Sequence, residues 1–203
     1  GDIIAKLREA GGDPSAIGTS ERAKLALESF QSTAAYDTAV SNELESRLMD
    51  EEVPSIVNLS TKRGSTLRYG ENPHQPASFY PNGGEPTGLG AATQHGGKPL
   101  SYNNYLDLDG ALRLAENIIH SCADHEHGCV VVKHTNPCGA AVGSSQSEAW
   151  KDALASDPES AFGCVIAFTK EVELETATAI GEHFFECMIC LLYTSPSPRD
   201  WLQ

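Results

Sequence analysis

Lys133 and His134 follow four apolar residues, Cys129-Val130-Val131-Val132, and open the run Lys-His-Thr-Asn-Pro-Cys-Gly over 133–139. Such a continuous apolar run is expected as a buried strand. In open α/β sheets ligands bind beyond the carboxyl ends of strands, so this position favours chemistry. A lysine there can stabilise developing negative charge, and an imidazole, which titrates near neutral pH, can accept a proton. The alternative on spacing alone is a solvated lysine beside a hydrogen-bonded structural histidine.

Three further clusters carry comparable polarity. Leu-Arg-Tyr-Gly-Glu-Asn-Pro-His-Gln at 67–75 sets a cation and a phenol beside a Gly and a Pro. Arg68 offers a planar fork for phosphate or carboxylate, Tyr69 a stacking face, and Gly70 close backbone approach; a polar surface turn is the other reading. The run 100–109 places Asn103 and Asn104 between Tyr102 and Tyr105 ahead of a helix, where capping explains part of the pattern. Asp-Pro-Glu-Ser-Ala-Phe-Gly at 157–163 precedes a second apolar run; Phe162 could lie on a flat ring and Gly163 admit a ligand to the backbone, or the segment is a simple turn. Cys122, His125, His127 and Cys129 form a rival metal-type cluster, but their spacing is too compressed for paired knuckles. Cys187 and Cys190 form a lone CxxC with no second pair. No metal site is expected.

The elements that must position these groups fall into three textures. Over 1–53 the apolar spacing predicts an amphipathic helical hairpin: Ile3, Ile4 and Leu7 first, then a run capped by Thr19-Ser20-Glu21 carrying Leu25, Leu27 and Phe30, then a further helix through Ala35, Tyr36, Ala39, Val40 and Leu44. Over 54–186 short apolar runs alternate with turns and helices, as in an α/β domain. Strands are expected at 129–132 and 164–168, helices at 106–119 and 147–155, and a Gly-rich loop over 81–97. Over 187–203 a Pro-Ser repeat ends the periodicity, and nothing there is expected to complete the fold. That tail reads as a foreign or misassembled frame, and Gly1 in place of Met reads as a truncated start.

The 203 residues suffice for one sizeable domain with a core, and 40% hydrophobic with 21% charged residues argues against disorder. A formal charge of -14 disfavours nonspecific nucleic-acid binding and anionic membranes, although an Arg and a Lys in one pocket still suit an anionic small molecule. No apolar run is long enough to span a membrane, and the six cysteines suggest no disulfide framework and a reducing compartment.

LRYGENPHQ, LSYNN, VVKHTNPCGAAVG and SDPESAFGCVIAF, in that order, resemble the start of the transformylase domain of the bifunctional AICAR transformylase/IMP cyclohydrolase family. LALESFQSTAAYDTAVSNEL resembles the last helices of the family's cyclohydrolase domain. The resemblance implies an incomplete cytidine-deaminase-like α/β subdomain over 54–186, preceded over 1–53 by helices from a methylglyoxal-synthase-like domain. It implies formyl transfer from 10-formyltetrahydrofolate to AICAR in purine synthesis, without a catalytic metal, in a cytoplasmic homodimer. His134 takes the role of proton acceptor and Lys133 that of transition-state stabiliser, with Arg68, Tyr69, Asn104, Phe162 and Gly163 as nucleotide contacts. By the resemblance, most of the cyclohydrolase domain and the second half of the transformylase domain are expected to lie outside these 203 residues. The isolated chain is therefore expected to lack cyclohydrolase activity and turn over little or nothing; a non-catalytic nucleotide-binding fragment and a small metal-binding protein are the alternatives.

Overall fold

Residues 2–48 are mostly helical, and a pair of glycines sets the first break. The computed structural model describes residues 2–49, 55–81, 87–181 and 183–191. The chain divides into two compact units, Gly1–Lys62 and Arg63–Gln203. In the first, α1 (Asp2–Glu9) stops where Gly11 and Gly12 take positive φ, 64° and 93°, a conformation that costs glycine little. A 3-10 turn at Pro14–Ala16 follows, with Asp13 accepting from the Ser15 N–H at 2.9 Å. Helix α2 then runs unbroken from Thr19 to Leu48, 30 residues.

Two sequence expectations are corrected here. The runs around Leu25–Phe30 and Ala35–Leu44 are one helix, because Gln31-Ser32-Thr33-Ala34 between them holds neither Gly nor Pro to break it. Thr19 is already helical; the N-cap is Gly18, with no side-chain cap bond. A Lys6–Glu21 ion pair at 2.9 Å ties α1 to α2. No side chain of α2 is buried, and Phe30 and Tyr36 are 76% and 69% exposed, so the helix owes little to packing within this unit.

The second unit is a mixed α/β layer built on one four-stranded sheet of order β4-β3-β5-β6. Strand β3 (His127–Lys133) pairs antiparallel with β4 (Asn136–Gly143) and with β5 (Cys164–Phe168), and β5 pairs parallel with β6 (Phe185–Cys190). The pleat sends alternate residues to opposite faces. Cys129, Val131, Cys164, Ile166 and Phe168 pack with Ala149, Trp150 and Ala153 of α4 (Gln146–Ser156) and Ile180 of α5 (Leu174–Ile180). Val130, Val132, Val165 and Ala167 pack with Leu108, Ala111 and Ala115 of α3 (Tyr102–Ile119). Both faces are thus covered, which is why β3 and β5 are continuous apolar runs rather than alternating ones.

Strand β4 was not foreseen: Pro137, Gly139 and Gly143 argue against a strand, yet β4 is an edge, where a missing N–H is tolerated. The glycines let α4 lie directly on β4. A Cβ at Gly139 would collide with the Ala153 carbonyl oxygen, and one at Gly143 would come within 2.9 Å of the Ala149 nitrogen. Gly139→Ala is therefore expected to destabilise this unit by about 3 kcal/mol, the upper end for overpacking, measured as a lowered urea midpoint.

The expectation that nothing after Glu186 completes the fold is also corrected. Cys187 to Cys190 belong to β6, and Cys187 and Ile189 pack on the α3 face while Cys190 packs on the other. Residues 192–203, and 82–86 of the Gly-rich loop, lie outside the described residues; the rest of that loop holds only a 3-10 turn at Gly88–Gly90. Two short strands, β1 (Ser65–Thr66) and β2 (Ser78–Phe79), pair antiparallel, and Phe79 stacks on Tyr105 of α3 at 4.4 Å.

Candidate functional site

Antiparallel pairing of β3 with β5 brings the end of one to the start of the other. Val132 faces Val165, so Lys133 at the close of β3 meets the Phe162-Gly163 turn that enters β5. The Lys133 ammonium donates to the Phe162 carbonyl at 2.6 Å, leaving two of its N–H groups for other acceptors. Gly163 has φ 73°, and its N–H donates to the Phe184 carbonyl at 2.9 Å. The Phe162 and Phe184 rings lie 5.1 Å apart, and they are 63% and 54% exposed, an uncovered aromatic pair beside a cation.

His134 and Thr135 form the two-residue connection between β3 and β4, since Lys133 pairs with Asn136. Their φ values, 52° and 63°, are those of a type I′ hairpin turn. Asn-Gly is the usual occupant, and a β-branched threonine in this region is strained. Asp107 of α3 accepts the Thr135 N–H at 2.6 Å, and the His134 carbonyl accepts from Thr135 Oγ1 at 2.6 Å and Asn136 Nδ2 at 2.9 Å. The His134 side chain is exposed at the hairpin tip.

The remaining predicted contacts meet at the start of α3. The Arg68 N–H donates to the Leu100 carbonyl at 2.8 Å and the Tyr102 N–H to the Tyr69 carbonyl at 3.0 Å, which pins the Arg68-Tyr69 pair to the helix entry. The guanidinium lies 4.8 Å from the Tyr69 ring centroid and donates to its hydroxyl at 3.2 Å. The 70–75 turn closes through the Gly70 N–H to the Gln75 carbonyl at 2.8 Å, and a Cβ at Gly70 would sit 3.0 Å from that of Gln75. Asn104 is buried in a capping box: its Oδ1 accepts from the Ser101 N–H at 3.0 Å and the Ser101 hydroxyl at 2.9 Å. Its Nδ2 makes no hydrogen bond among the described residues. Capping thus accounts for half of its polar capacity, while the exposed Asn103 donates to the Glu71 carbonyl at 3.2 Å.

The structure therefore brings Lys133, His134, Phe162 and Gly163 to one sheet end and places Arg68, Tyr69 and Asn104 together at the start of α3. Asp107 joins the helix to the hairpin. The charges of Arg68 and Asp107 both act on the Cys187 thiol: burial, Glu186 and Asp107 push it up to about 11, while Arg68 pulls the other way. Sequence reasoning passed over Asp107, Thr135 and Phe184. The available signal for Asp107 was its place one helical turn beyond Asn103 and Asn104, on the side of the helix facing the site.

Burial also pushes the Cys164 thiol up to about 11, with Cys138 raising it and Lys133 lowering it. The folded value exceeds the unfolded one, so the neutral thiol contributes stability that is whole below about pH 9 and lost as pH rises towards 11. Unfolding midpoints over that window are expected to fall, and to fall less steeply in Cys164→Ala. Among the described residues no three His, Cys, Asp or Glu side chains are grouped to hold a metal ion, and no helix is long and apolar enough to cross a membrane.

The second unit is thus a mixed α/β unit with a lysine, an imidazole and exposed aromatic rings at one sheet end and an arginine at the entry of α3. The model of the AICARFT/IMPCHase bienzyme family matches residues 2–198, and the chain belongs to that family. It is 39% identical over 192 residues to the bifunctional purine biosynthesis protein PurH of Persephonella marina, covering 93% of this chain and 35% of that protein. The PurH proteins of Nostoc punctiforme (43% over 172 residues, 83% of this chain and 32% of that protein) and Brucella ovis (40% over 188 residues, 93% and 34%) are similar. The chain thus spans about a third of the length of the curated relatives it matches.

Proposed function

We propose that this chain carries part of the active site of an AICAR formyltransferase of purine synthesis, in a protein that also has IMP cyclohydrolase activity. The observation that supports it most is the Lys133-His134 pair held beside Phe162-Gly163 at one sheet end, in a chain of this family. The unit is read as a cytidine-deaminase-like subdomain, working in a cytoplasmic homodimer, and the reaction calls for no metal. The amine of AICAR is conjugated with its ring and carboxamide and is a weak nucleophile. It attacks the formyl carbon of 10-formyltetrahydrofolate, the carbonyl π bond opens to an oxyanion, and the amine proton passes to the His134 imidazole. The Lys133 ammonium faces the oxyanion. Collapse restores the carbonyl, breaks the bond to N10 of the folate, and passes the proton held by the His134 imidazolium to N10, giving formyl-AICAR and tetrahydrofolate.

In this reading Phe162 stacks on the imidazole ring of the nucleotide, Gly163 admits it to the backbone, and Arg68, Tyr69 and the free Nδ2 of Asn104 hold its polar edge and phosphate. The test is formyl transfer from 10-formyltetrahydrofolate to AICAR, followed as tetrahydrofolate release, by this chain and by the chain extended to the length of its relatives. The extended chain is expected to turn over and the 203-residue chain to bind nucleotide at most. No transfer by the extended chain would overturn the reading.

A further inference from the structure

We propose that Asp107 is a positioning residue for this transfer: its carboxylate clamps the hairpin tip so that His134 is presented to the amine. The inference rests on the assignment of His134 as the proton acceptor. It starts from a local conflict. Two adjacent non-glycine residues, His134 and Thr135, hold φ of 52° and 63°, and such strain persists only when surrounding contacts over-determine it. Thr135 Oγ1 and Asn136 Nδ2 bond the His134 carbonyl, but both lie within the hairpin itself. They cannot fix the tip against the rest of the fold.

The contact that can is the 2.6 Å hydrogen bond from the Thr135 N–H to Asp107 Oδ1, from a residue 28 positions earlier in the chain. Its geometry depends on the left-handed turn, because that turn sets the direction of the Thr135 N–H. Helix α3 is itself anchored by the Ser101-Asn104 capping box and by Ala111 and Ala115 buried against the sheet. Gly110, one turn further along, lies beside the same tip: a Cβ there would sit 3.4 Å from the Thr135 carbonyl oxygen, an ordinary contact distance. Relaxation of φ at 134 and 135 to negative values would re-aim the His134 Cα–Cβ bond, and with it the imidazole. Asp107 acts through His134 and need not touch substrate.

The experiment uses the extended chain and four variants. Asp107→Ala is expected to lower kcat by about 10- to 100-fold with the KM for AICAR nearly unchanged, the loss appropriate to a hydrogen bond to a charged group. Asp107→Asn keeps an oxygen acceptor and is expected to retain kcat within about tenfold, since a neutral acceptor is roughly half as strong. Thr135→Gly removes the strain that needs the clamp, so Thr135→Gly combined with Asp107→Ala is expected to recover most of the loss. A merely structural role for Asp107 would lower the unfolding midpoint without this pattern of rescue. Asp107→Ala with kcat within twofold of the parent, or a loss that neither Asp107→Asn nor Thr135→Gly relieves, overturns the proposal. His134→Ala run alongside separates the two failures: if it abolishes turnover while Asp107→Ala does not, only the positioning role falls, and if it turns over like the parent, the assignment of the base has fallen. In the 203-residue chain, faster exchange of the Thr135 amide in Asp107→Ala, by about tenfold, is the matching structural readout, and unchanged exchange is a second result that overturns it.

Discussion

His134→Ala in the extended chain is expected to lower kcat for formyl transfer by about 10²- to 10⁴-fold, the usual contribution of a positioned general base. The nucleotide KM should change little, because the contacts assigned to binding come from Arg68, Tyr69, Asn104, Phe162 and Gly163. The fold should survive: the side chain is exposed at a hairpin tip, so its removal leaves no cavity and no buried group unpaired. Free imidazole in the buffer should restore part of the lost rate, which a structural defect would not allow. The measurements are kcat, KM and the imidazole dependence of the rate, with the unfolding midpoint as control. An alanine variant with the parent's kcat would remove His134 from the chemistry.

The parts of this site that were legible in the sequence are those set by burial. Cys129–Val132 and Cys164–Phe168 read as two-face-covered strands because both faces are packed, one by α3 and one by α4 and α5. The position of Lys133 follows from the first of these runs. What could not be read was the antiparallel pairing that folds the Phe162 turn back onto Lys133, since sequence spacing carries no strand direction. The hairpin was hidden for a related reason. A two-residue connection normally advertises itself by Asn-Gly or Asp-Gly, whereas His-Thr carries no such signal and its turn is bonded to Asp107 of α3.

At Asn104 the cap and the expected ligand contact fall on one side chain. A polar residue beside a helix start was read through the resemblance as a ligand contact, and the cap that the sequence also suggested uses its Oδ1. The two roles are compatible because the side-chain amide has separate donor and acceptor ends. Similarly, α2 was divided into two helices although no residue between its halves disfavours helix; the expectation of a compact hairpin overrode the local propensity.

Lys133→Ala is expected to lower kcat by about 10²- to 10³-fold, the loss seen when one donor to a developing oxyanion is removed. The residue lies at a strand end and its Nζ donates to the Phe162 carbonyl at 2.6 Å, so two consequences of its removal must be separated. One is loss of positive charge at the oxyanion, which lowers kcat alone. The other is loosening of the turn that carries Phe162 and Gly163, which weakens nucleotide binding and raises KM. Lys133→Met keeps the length and apolar stem of the side chain without the ammonium, and should reproduce the kcat loss. Lys133→Arg keeps the charge, but its planar fork delivers it in a different geometry, and it should recover only part of the rate. A pattern in which all three variants raise the AICAR KM while kcat holds would assign Lys133 to the Phe162 turn rather than to the transition state. None of the three substitutions should affect the core, since Val132 remains buried and the β3–β5 ladder closes before the Lys133 side chain.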